Sequence, residues 1–138
     1  MTRRAQLRGR AAVRRALVLA ARGARPRECC GLLLGAAGRV DFAVAVPNID
    51  KRPGRYRLDP AVHIAVRRLV RRLSPAVAIV GAYHSHPGGD AVPSRTDVAE
   101  AMYPDWLWVI VGLRRRAPAV RAYRIRRGRP REVRVRWE

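Results

Sequence analysis

An almost uninterrupted apolar segment in the middle of the chain limits the folds that this sequence can adopt. Residues 77–83 read Val-Ala-Ile-Val-Gly-Ala-Tyr, with Pro75 just before them and a loop containing glycine and proline at residues 87–93. Strands covered on both faces have this near-continuous apolar character, whereas strands with one solvated face alternate. The segment therefore predicts a central strand in a sheet that has other elements packed on both faces.

Amphipathic segments predict the helices that cover this sheet. A basic helix is expected over about residues 5–22, where apolar residues recur at mostly helical spacing between arginines. A second helix is expected from Asp59 to about Leu73, because Asp59 can cap its start and Pro60 suits the first helical position. Ser94 is expected to cap a short third helix that runs to about Met102.

Further apolar or alternating segments predict the other strands of the sheet. They are residues 30–34 and 40–46, which are expected to form a hairpin, and residues 107–113. Two alternating segments, residues 120–125 and 133–137, predict half-exposed final strands in the basic C-terminal region of about residues 119–137. The chain shows no internal repeat or low-complexity linker, and its 138 residues suit one hydrophobic core rather than two. We therefore predict a single domain over residues 1–138, of the α/β (α+β) class, with a mixed central sheet flanked by helices.

The charge of the chain is strongly positive. Thirty Lys and Arg residues stand against 10 Asp and Glu residues, which gives a formal net charge of +20, and Lys51 is the one lysine. Such a charge favours nucleic acid, an anionic membrane surface or an acidic protein as partner. The use of arginine in place of lysine also fits a GC-rich coding bias. Most arginines lie in residues 1–27 and 114–136, so the charge belongs to the flanks of the domain.

Other features exclude several classes of protein. Cys29 and Cys30 are adjacent and provide no disulfide framework, which predicts a reducing cytoplasm and two small apolar fillers at the start of a buried strand. No apolar run reaches the roughly 18 residues that a membrane span needs, so no membrane partner is expected. The apolar stretch after the basic N-terminus, Ala16–Ala21, is too short for a signal peptide.

Two histidines at the end of the central strand are the strongest chemical signal. His84 and His86 are two residues apart, so both imidazoles leave the same face of a strand and can bind one zinc ion. Asp97 lies one turn into the helix that Ser94 caps and can supply a carboxylate ligand. The alternatives are a hydrogen-bonded surface pair of histidines and a Ser-x-x-Asp capping box without a metal. The occurrence of both patterns in one short segment favours metal binding.

A zinc hydrolase also needs a group that moves a proton, and few acidic residues are available for this role. Glu28 precedes the first apolar strand, but its distance in sequence from His84 leaves the assignment open on the residues alone. The third histidine, His63, stands beside Val62 and Ile64 on the second helix and is interpreted as structural or solvated.

Several separate segments together resemble the JAMM (JAB1/MPN/Mov34) metalloprotease family, in particular its small prokaryotic branch. They are Glu28–Gly35, His84-x-His86-Pro87, Ser94-x-x-Asp97, Pro47-Asn48, and residues 55–60, which read Arg-Tyr-Arg-Leu-Asp-Pro. The similarity covers about residues 10–115. It implies a JAB/MPN-like domain that binds one zinc ion (Zn2+) per chain.

The resemblance also implies a role for each matched residue. His84, His86 and Asp97 are expected to bind zinc, and Glu28 is expected to act as general acid and base. Ser94 is expected to steady the oxyanion of the tetrahedral intermediate. The implied activity is that of a cytoplasmic zinc metallopeptidase or isopeptidase that cuts after the C-terminal Gly-Gly of a ubiquitin-like sulfur carrier protein. The leaving group stays open between cysteine, lysine and a peptide.

Two other interpretations remain at this point. The RadC-like branch of the same superfamily has a similar His-x-His-Pro and Ser-x-x-Asp pattern, and the charge of +20 would suit nucleic acid. The extra N-terminal helical domain of that branch is not expected here, and Glu28–Gly31 fits the peptidase branch better, so nucleic acid is not the expected partner. A metal-bound scaffold without catalysis is the second alternative, although all five functional positions are filled. The sequence does not decide between a monomer and a homodimer.

Overall fold

The computed structural model describes residues 6–138, which form a six-stranded mixed sheet, a small three-stranded sheet and three helices. In chain order the elements are β1 (Leu7–Gly9), α1 (Ala11–Ala24), β2 (Cys30–Gly35), β3 (Arg39–Val40), β4 (Phe42–Val46), α2 (Pro60–Leu73), β5 (Ala78–His86), α3 (Arg95–Glu100), β6 (Leu107–Gly112), β7 (Ala119–Arg126), β8 (Arg129–Val133) and β9 (Val135–Trp137). The large sheet has the order β4-β2-β5-β6-β7-β8. Strands β5 and β6 are parallel and the other neighbours are antiparallel. The predicted fold class is confirmed.

Strand β5 lies between β2 and β6 and is covered on both faces, as its apolar sequence predicts. One core contains Leu17 and Ala21 of α1 with Val109 of β6, and the other contains Val66 of α2 with Ile110. Adjacent residues on β6 thus contribute to opposite cores, as the alternation of side chains along a strand requires. The strand continues beyond the apolar segment to His86, so both candidate ligands lie within the sheet rather than in the following loop.

The first helix begins at Ala11 and not near residue 5. Residues 7–9 form the parallel strand β1 between β3 and β9. Gly9 explains the difference, because a Cβ atom at this position would overlap the ring of Trp137. Pairing with the distant C-terminal strand therefore makes residues 7–9 a strand, although the apolar residues of this segment recur at helical spacing. The part of the predicted helix at residue 5, and Met1–Arg4, lie outside the described residues.

The C-terminal region contains three strands where two alternating segments were predicted. Strand β8 has little apolar alternation, but it pairs antiparallel with β7 at the edge of the large sheet. Pro130 is tolerated there because an edge strand has an unpaired side. Strand β9 leaves this sheet and joins β1.

The remaining elements agree closely with the sequence predictions. The side chain of Asp59 accepts a hydrogen bond from Ala61 N at 2.9 Å and Pro60 is the first residue of α2. Helix α3 is shorter than expected and ends at Glu100. Cys30 is buried at the start of β2 and burial raises the pKa of its thiol to about 12. Within residues 6–138, no helix combines the length and hydropathy of a membrane span.

Candidate metal centre

The two histidines of β5 and the aspartate of α3 converge on one point. His84 Nε2 lies 3.1 Å from His86 Nε2. Asp97 Oδ2 lies 3.1 Å from the Nε2 atom of each histidine. The side chains of His84 and Asp97 are nearly buried, with 3% and 9% of their surface exposed. Three donor atoms therefore form a nearly equilateral triangle at the end of the central strand.

This triangle fits the dimensions of a zinc site. Zinc binds imidazole nitrogen and carboxylate oxygen at about 2.0–2.1 Å in tetrahedral geometry, which separates neighbouring ligand atoms by about 3.3 Å. The observed separations of 3.1 Å are close to that value. The donors are two imidazoles and one carboxylate, a set that leaves a fourth position open in catalytic zinc sites. The residues present can therefore hold such an ion without rearrangement of the backbone.

Ser94 and Asp97 form a capping box as well as contributing to the centre. Ser94 N donates to Asp97 Oδ2 at 2.9 Å, and Asp97 N donates to Ser94 Oγ at 3.0 Å. The capping box and the metal-ligand interpretation are therefore compatible, because the box holds the aspartate beside the histidines. The Ser94 hydroxyl acts as an acceptor in the box, so its own proton can be donated to another oxygen.

Glu28 lies beside the same centre, although it stands far from the histidines in sequence. One carboxylate oxygen of Glu28 and one nitrogen of each of His84 and His86 lie within 4.8 Å of one another. The residue is 6% exposed. Burial raises the pKa of Glu28 to about 7, with the nearby His86 acting in the opposite direction. A carboxyl group with a pKa near neutrality can accept and return a proton at physiological pH.

The position of Glu28 depends on two residues to which the sequence analysis gave no role. Ser85 lies between the histidines on the opposite face of β5, and its Oγ accepts a hydrogen bond from Cys29 N at 2.9 Å. Asn48 Nδ2 donates to the carbonyl of Glu28 at 3.1 Å and to that of Arg55 at 3.0 Å. Ser85 could have been recognised from the sequence, because it is a polar residue in a buried strand. The contacts of Asn48 could not, because they depend on the geometry of a loop.

Tyr56 is a further component that the sequence analysis did not assign. Its ring stacks on His84 with a centroid distance of 4.3 Å and an interplanar angle of 19°. His86 is held from another direction, since its Nδ1 lies 2.8 Å from the carbonyl oxygen of Asp90. This hydrogen bond favours a proton on Nδ1. It leaves Nε2 unprotonated, so that this nitrogen can bind a metal ion at the centre.

The protonation states of the three donors follow from burial and from their mutual contacts. Burial lowers the pKa of His84, in spite of the hydrogen bond with Asp97. Burial lowers the pKa of His86 too, but its bonds to Asp97 and Asp90 outweigh this and raise it overall. Burial opposes ionisation of Asp97, yet the two histidines keep the pKa of Asp97 below its ordinary value. The carboxylate is thus charged, as a metal ligand requires.

His63 lies outside this centre. Arg67 Nε lies 3.0 Å from His63 Nε2, and the imidazole ring is 5.8 Å from the ring of Trp106. This location agrees with the interpretation of His63 as a structural or solvated residue.

The fold and the arrangement of the sheet are those of JAB/MPN domains. The solved structure of a protein from Desulfitobacterium hafniense superposes with a TM-score of 0.83, at 24% identity, over 96% of this chain and 94% of that one. A JAB1/MPN domain protein from Archaeoglobus fulgidus superposes with a TM-score of 0.64, at 20% identity, over 96% of this chain and 99% of that one. At these identities the likeness concerns the fold alone.

Sequence comparison defines the family. Residues 10–126 match the prokaryotic homologs of the JAB domain, and the chain belongs to this family. It is 36% identical over 113 residues to the CysO-cysteine peptidase of Mycobacterium tuberculosis, which covers 80% of this chain and 76% of the relative. It is 38% identical over 93 residues to the desampylase of Haloferax volcanii, which covers 65% of this chain and 66% of the relative. Both relatives are named for cleavage reactions, which indicates a hydrolase.

Proposed function

We propose that this protein is a zinc-dependent metallopeptidase or isopeptidase that hydrolyses the bond after the C-terminal Gly-Gly of a ubiquitin-like sulfur carrier protein. The observation that supports the proposal best is the buried Glu28 carboxyl beside the triangle of His84, His86 and Asp97. In this proposal three of these side chains are the metal ligands, and the fourth is an adjacent carboxyl group whose pKa burial raises to about 7.

The proposed mechanism gives each residue one task. His84, His86 and Asp97 would hold the zinc ion, which when bound would supply Lewis acidity that polarises a carbonyl and makes water a stronger acid. Glu28 accepts a proton from the attacking water and later delivers it to the leaving amine. Ser94 donates its hydroxyl proton to the oxyanion that forms at the scissile carbonyl. The net reaction adds hydroxyl to the acyl carbon and hydrogen to the amine.

The substrate class is inferred from the relatives and from charge. One relative is named a CysO-cysteine peptidase and another a probable TtuB-protein conjugate cleaving protease, which is 32% identical over 79 residues. The net charge of +20 suits an acidic protein and would accelerate its encounter with the enzyme. The two free cysteines fit a reducing cytoplasm as the place of action.

A hydrolysis assay tests the proposal. The substrates are a ubiquitin-like carrier joined through its terminal Gly-Gly to cysteine, and the same carrier joined to a lysine side chain, each with added zinc. We expect release from at least one substrate, and a loss of at least about 100-fold in the Glu28→Gln variant, since general acid–base catalysis contributes that much or more. Glu100→Gln, an exposed residue of α3, is the matched control and should keep full activity. Zinc binding without hydrolysis of either substrate would favour the scaffold interpretation.

A further inference from the structure

Asn48 is the one asparagine in the sequence, and its side-chain amide makes four hydrogen bonds. The Nδ2 group donates to the carbonyl oxygen of Glu28 at 3.1 Å and to that of Arg55 at 3.0 Å. The Oδ1 atom accepts from the backbone N–H of Asp50 at 3.0 Å and from that of Arg57 at 3.1 Å. An amide offers two donor hydrogens and two acceptor lone pairs, so every hydrogen-bonding position of this side chain is used.

These four bonds hold a loop against the segment that carries Glu28. The loop comprises residues 49–57, and an antiparallel bridge between Asn48 and Leu58 closes its base. Tyr56 lies in this loop, and the residues directly before and after it are those whose carbonyl and N–H groups bind the amide. One side chain therefore holds the backbone on both sides of Tyr56.

Arg27 adds a second connection between the loop and the segment before β2. Its Nη2 group donates to the carbonyl oxygens of Asn48 and Asp50, each at 2.9 Å. Because Arg27 directly precedes Glu28 in the chain, this contact acts on the same backbone as the bond from the Asn48 amide. The position of Glu28 and the position of the loop are therefore linked by two side chains.

The two ends of this hydrogen-bond network both reach the metal centre. At one end, the network holds the backbone of Glu28, whose carboxyl group lies beside His84 and His86. At the other end, the ring of Tyr56 stacks on His84 with a centroid distance of 4.3 Å. A change at Asn48 therefore acts on the proton-transfer group and on the ring that packs against a proposed metal ligand.

We propose that Asn48 is a positioning residue whose amide couples Glu28 to the aromatic ring stacked on His84. The inference rests on the proposed function and deepens it, because it adds a residue that does not itself belong to the metal centre. The two halves of the amide have separate tasks. The oxygen keeps the loop closed, and the NH2 group joins the loop to Glu28. Loss of such an outer partner typically lowers metal affinity or activity by about 10–100-fold.

Two substitutions separate the two halves of the amide. Asn48→Asp keeps an acceptor for the N–H groups of Asp50 and Arg57 but removes both donor bonds. We expect its kcat to fall at least about tenfold with little change in KM, because Glu28 is less well held, while its zinc affinity stays near that of the wild type. Asn48→Ala removes all four bonds and should also weaken zinc binding at least about tenfold. Hydrolysis of the carrier–cysteine conjugate and competition with a chromogenic chelator measure these effects.

A double-mutant cycle tests the link to His84. If Asn48 acts on zinc binding through the ring of Tyr56, Asn48→Ala should have little further effect on the zinc affinity of Tyr56→Ala. Additive losses in the double variant, or equal zinc affinity in Asn48→Ala and the wild type, would overturn the coupling. Hydrogen exchange of the metal-free proteins gives an independent readout. The backbone N–H groups of Asp50 and Arg57 should stay protected in Asn48→Asp and lose protection in Asn48→Ala, and unchanged protection in both variants would overturn the role of the amide.

A charge control separates positioning from electrostatics. Ile49→Asp adds the same charge at the neighbouring residue, which is 42% exposed, and leaves the Asn48 amide intact, so it should keep wild-type kcat. An equal loss of kcat in Ile49→Asp and Asn48→Asp, or wild-type kcat in Asn48→Asp, would overturn the positioning role. If the wild type hydrolyses no carrier conjugate, the proposed function fails, and the zinc affinities in the double-mutant cycle decide the coupling without it.

Discussion

Ser85 and Cys29 are joined by two hydrogen bonds between the end of β5 and the residue before β2. Ser85 Oγ accepts from Cys29 N at 2.9 Å, and Ser85 N donates to Cys29 O at 3.1 Å. Ser85 lies between the two histidines and Cys29 follows Glu28 directly. This pair therefore determines how the glutamate approaches the imidazoles, although none of its atoms belongs to the metal centre.

Replacement of Ser85 by alanine should weaken both the fold and the site. The N–H of Cys29 would lose its partner in a region where Ser85 is fully buried, so we expect a loss of about 1–2 kcal/mol in the free energy of unfolding. Glu28 would be less well held, and kcat should fall more than KM changes. Urea denaturation and hydrolysis assays measure these effects. Ser74→Ala, at the exposed end of α2, is the control; wild-type kcat in Ser85→Ala would contradict the positioning role.

Tyr56 should act as a positioning residue for His84 through its stacked ring. Tyr56→Phe keeps the ring, and we expect near wild-type zinc affinity for it. Tyr56→Ala frees the imidazole to rotate, and we expect at least about tenfold weaker zinc binding, the usual effect of losing an outer partner of a ligand. Competition with a chromogenic chelator measures the affinity. Equal zinc affinity in Phe and Ala variants would show that the stack has no such role.

Much of the fold follows from local patterns in the sequence. The apolar segment at residues 77–83, the Asp59-Pro60 start of α2 and the hairpin of β2 and β4 all have local signals that agree with the structure. Strand β1 could not be predicted, because it depends on pairing with a C-terminal strand more than 120 residues away. Strand β8 likewise depends on pairing with β7, since its own sequence has little apolar character.

The candidate site likewise contains residues with a local sequence signal and one residue, Glu28, whose position depends on pairing between distant strands. His84 and His86 are recognisable because two residues on one strand face share a direction, and Asp97 because Ser94 caps its helix. The proximity of Glu28 to these residues follows from the antiparallel register of β2 and β5, which places Cys30 opposite His84. Physical reasoning on the residues alone could not establish that register, so resemblance was needed to select Glu28.

The stability of the metal-free protein should depend on pH through Glu28. The pKa of this carboxyl rises from 4.5 to about 7 on folding, so the folded state binds the proton more tightly than the unfolded state. The resulting stabilisation is complete below about pH 4.5 and is lost as pH rises to about 7. Relative to Glu28→Gln, the free energy of unfolding of the wild type should fall by about 2–3 kcal/mol between about pH 4.5 and pH 7, since one pKa unit corresponds to roughly 1.4 kcal/mol. Urea denaturation of both proteins in EDTA measures the difference; parallel pH profiles would contradict the assignment.

Zinc should stabilise the fold through its three proposed ligands. A metal that binds the folded state alone raises the free energy of unfolding by about 2.7 kcal/mol at a free concentration 100 times its Kd. We expect this increase in the wild type at pH 7.5, and little in His84→Ala or Asp97→Ala, which remove a donor from the 3.1 Å triangle. His63→Ala is the matched control, because this histidine contacts Arg67 and lies outside the centre. The increase should shrink toward pH 5, where protons compete for the imidazoles. Thermal denaturation with and without zinc measures it, and an equal zinc-induced increase in His84→Ala and the wild type would exclude His84 as a ligand.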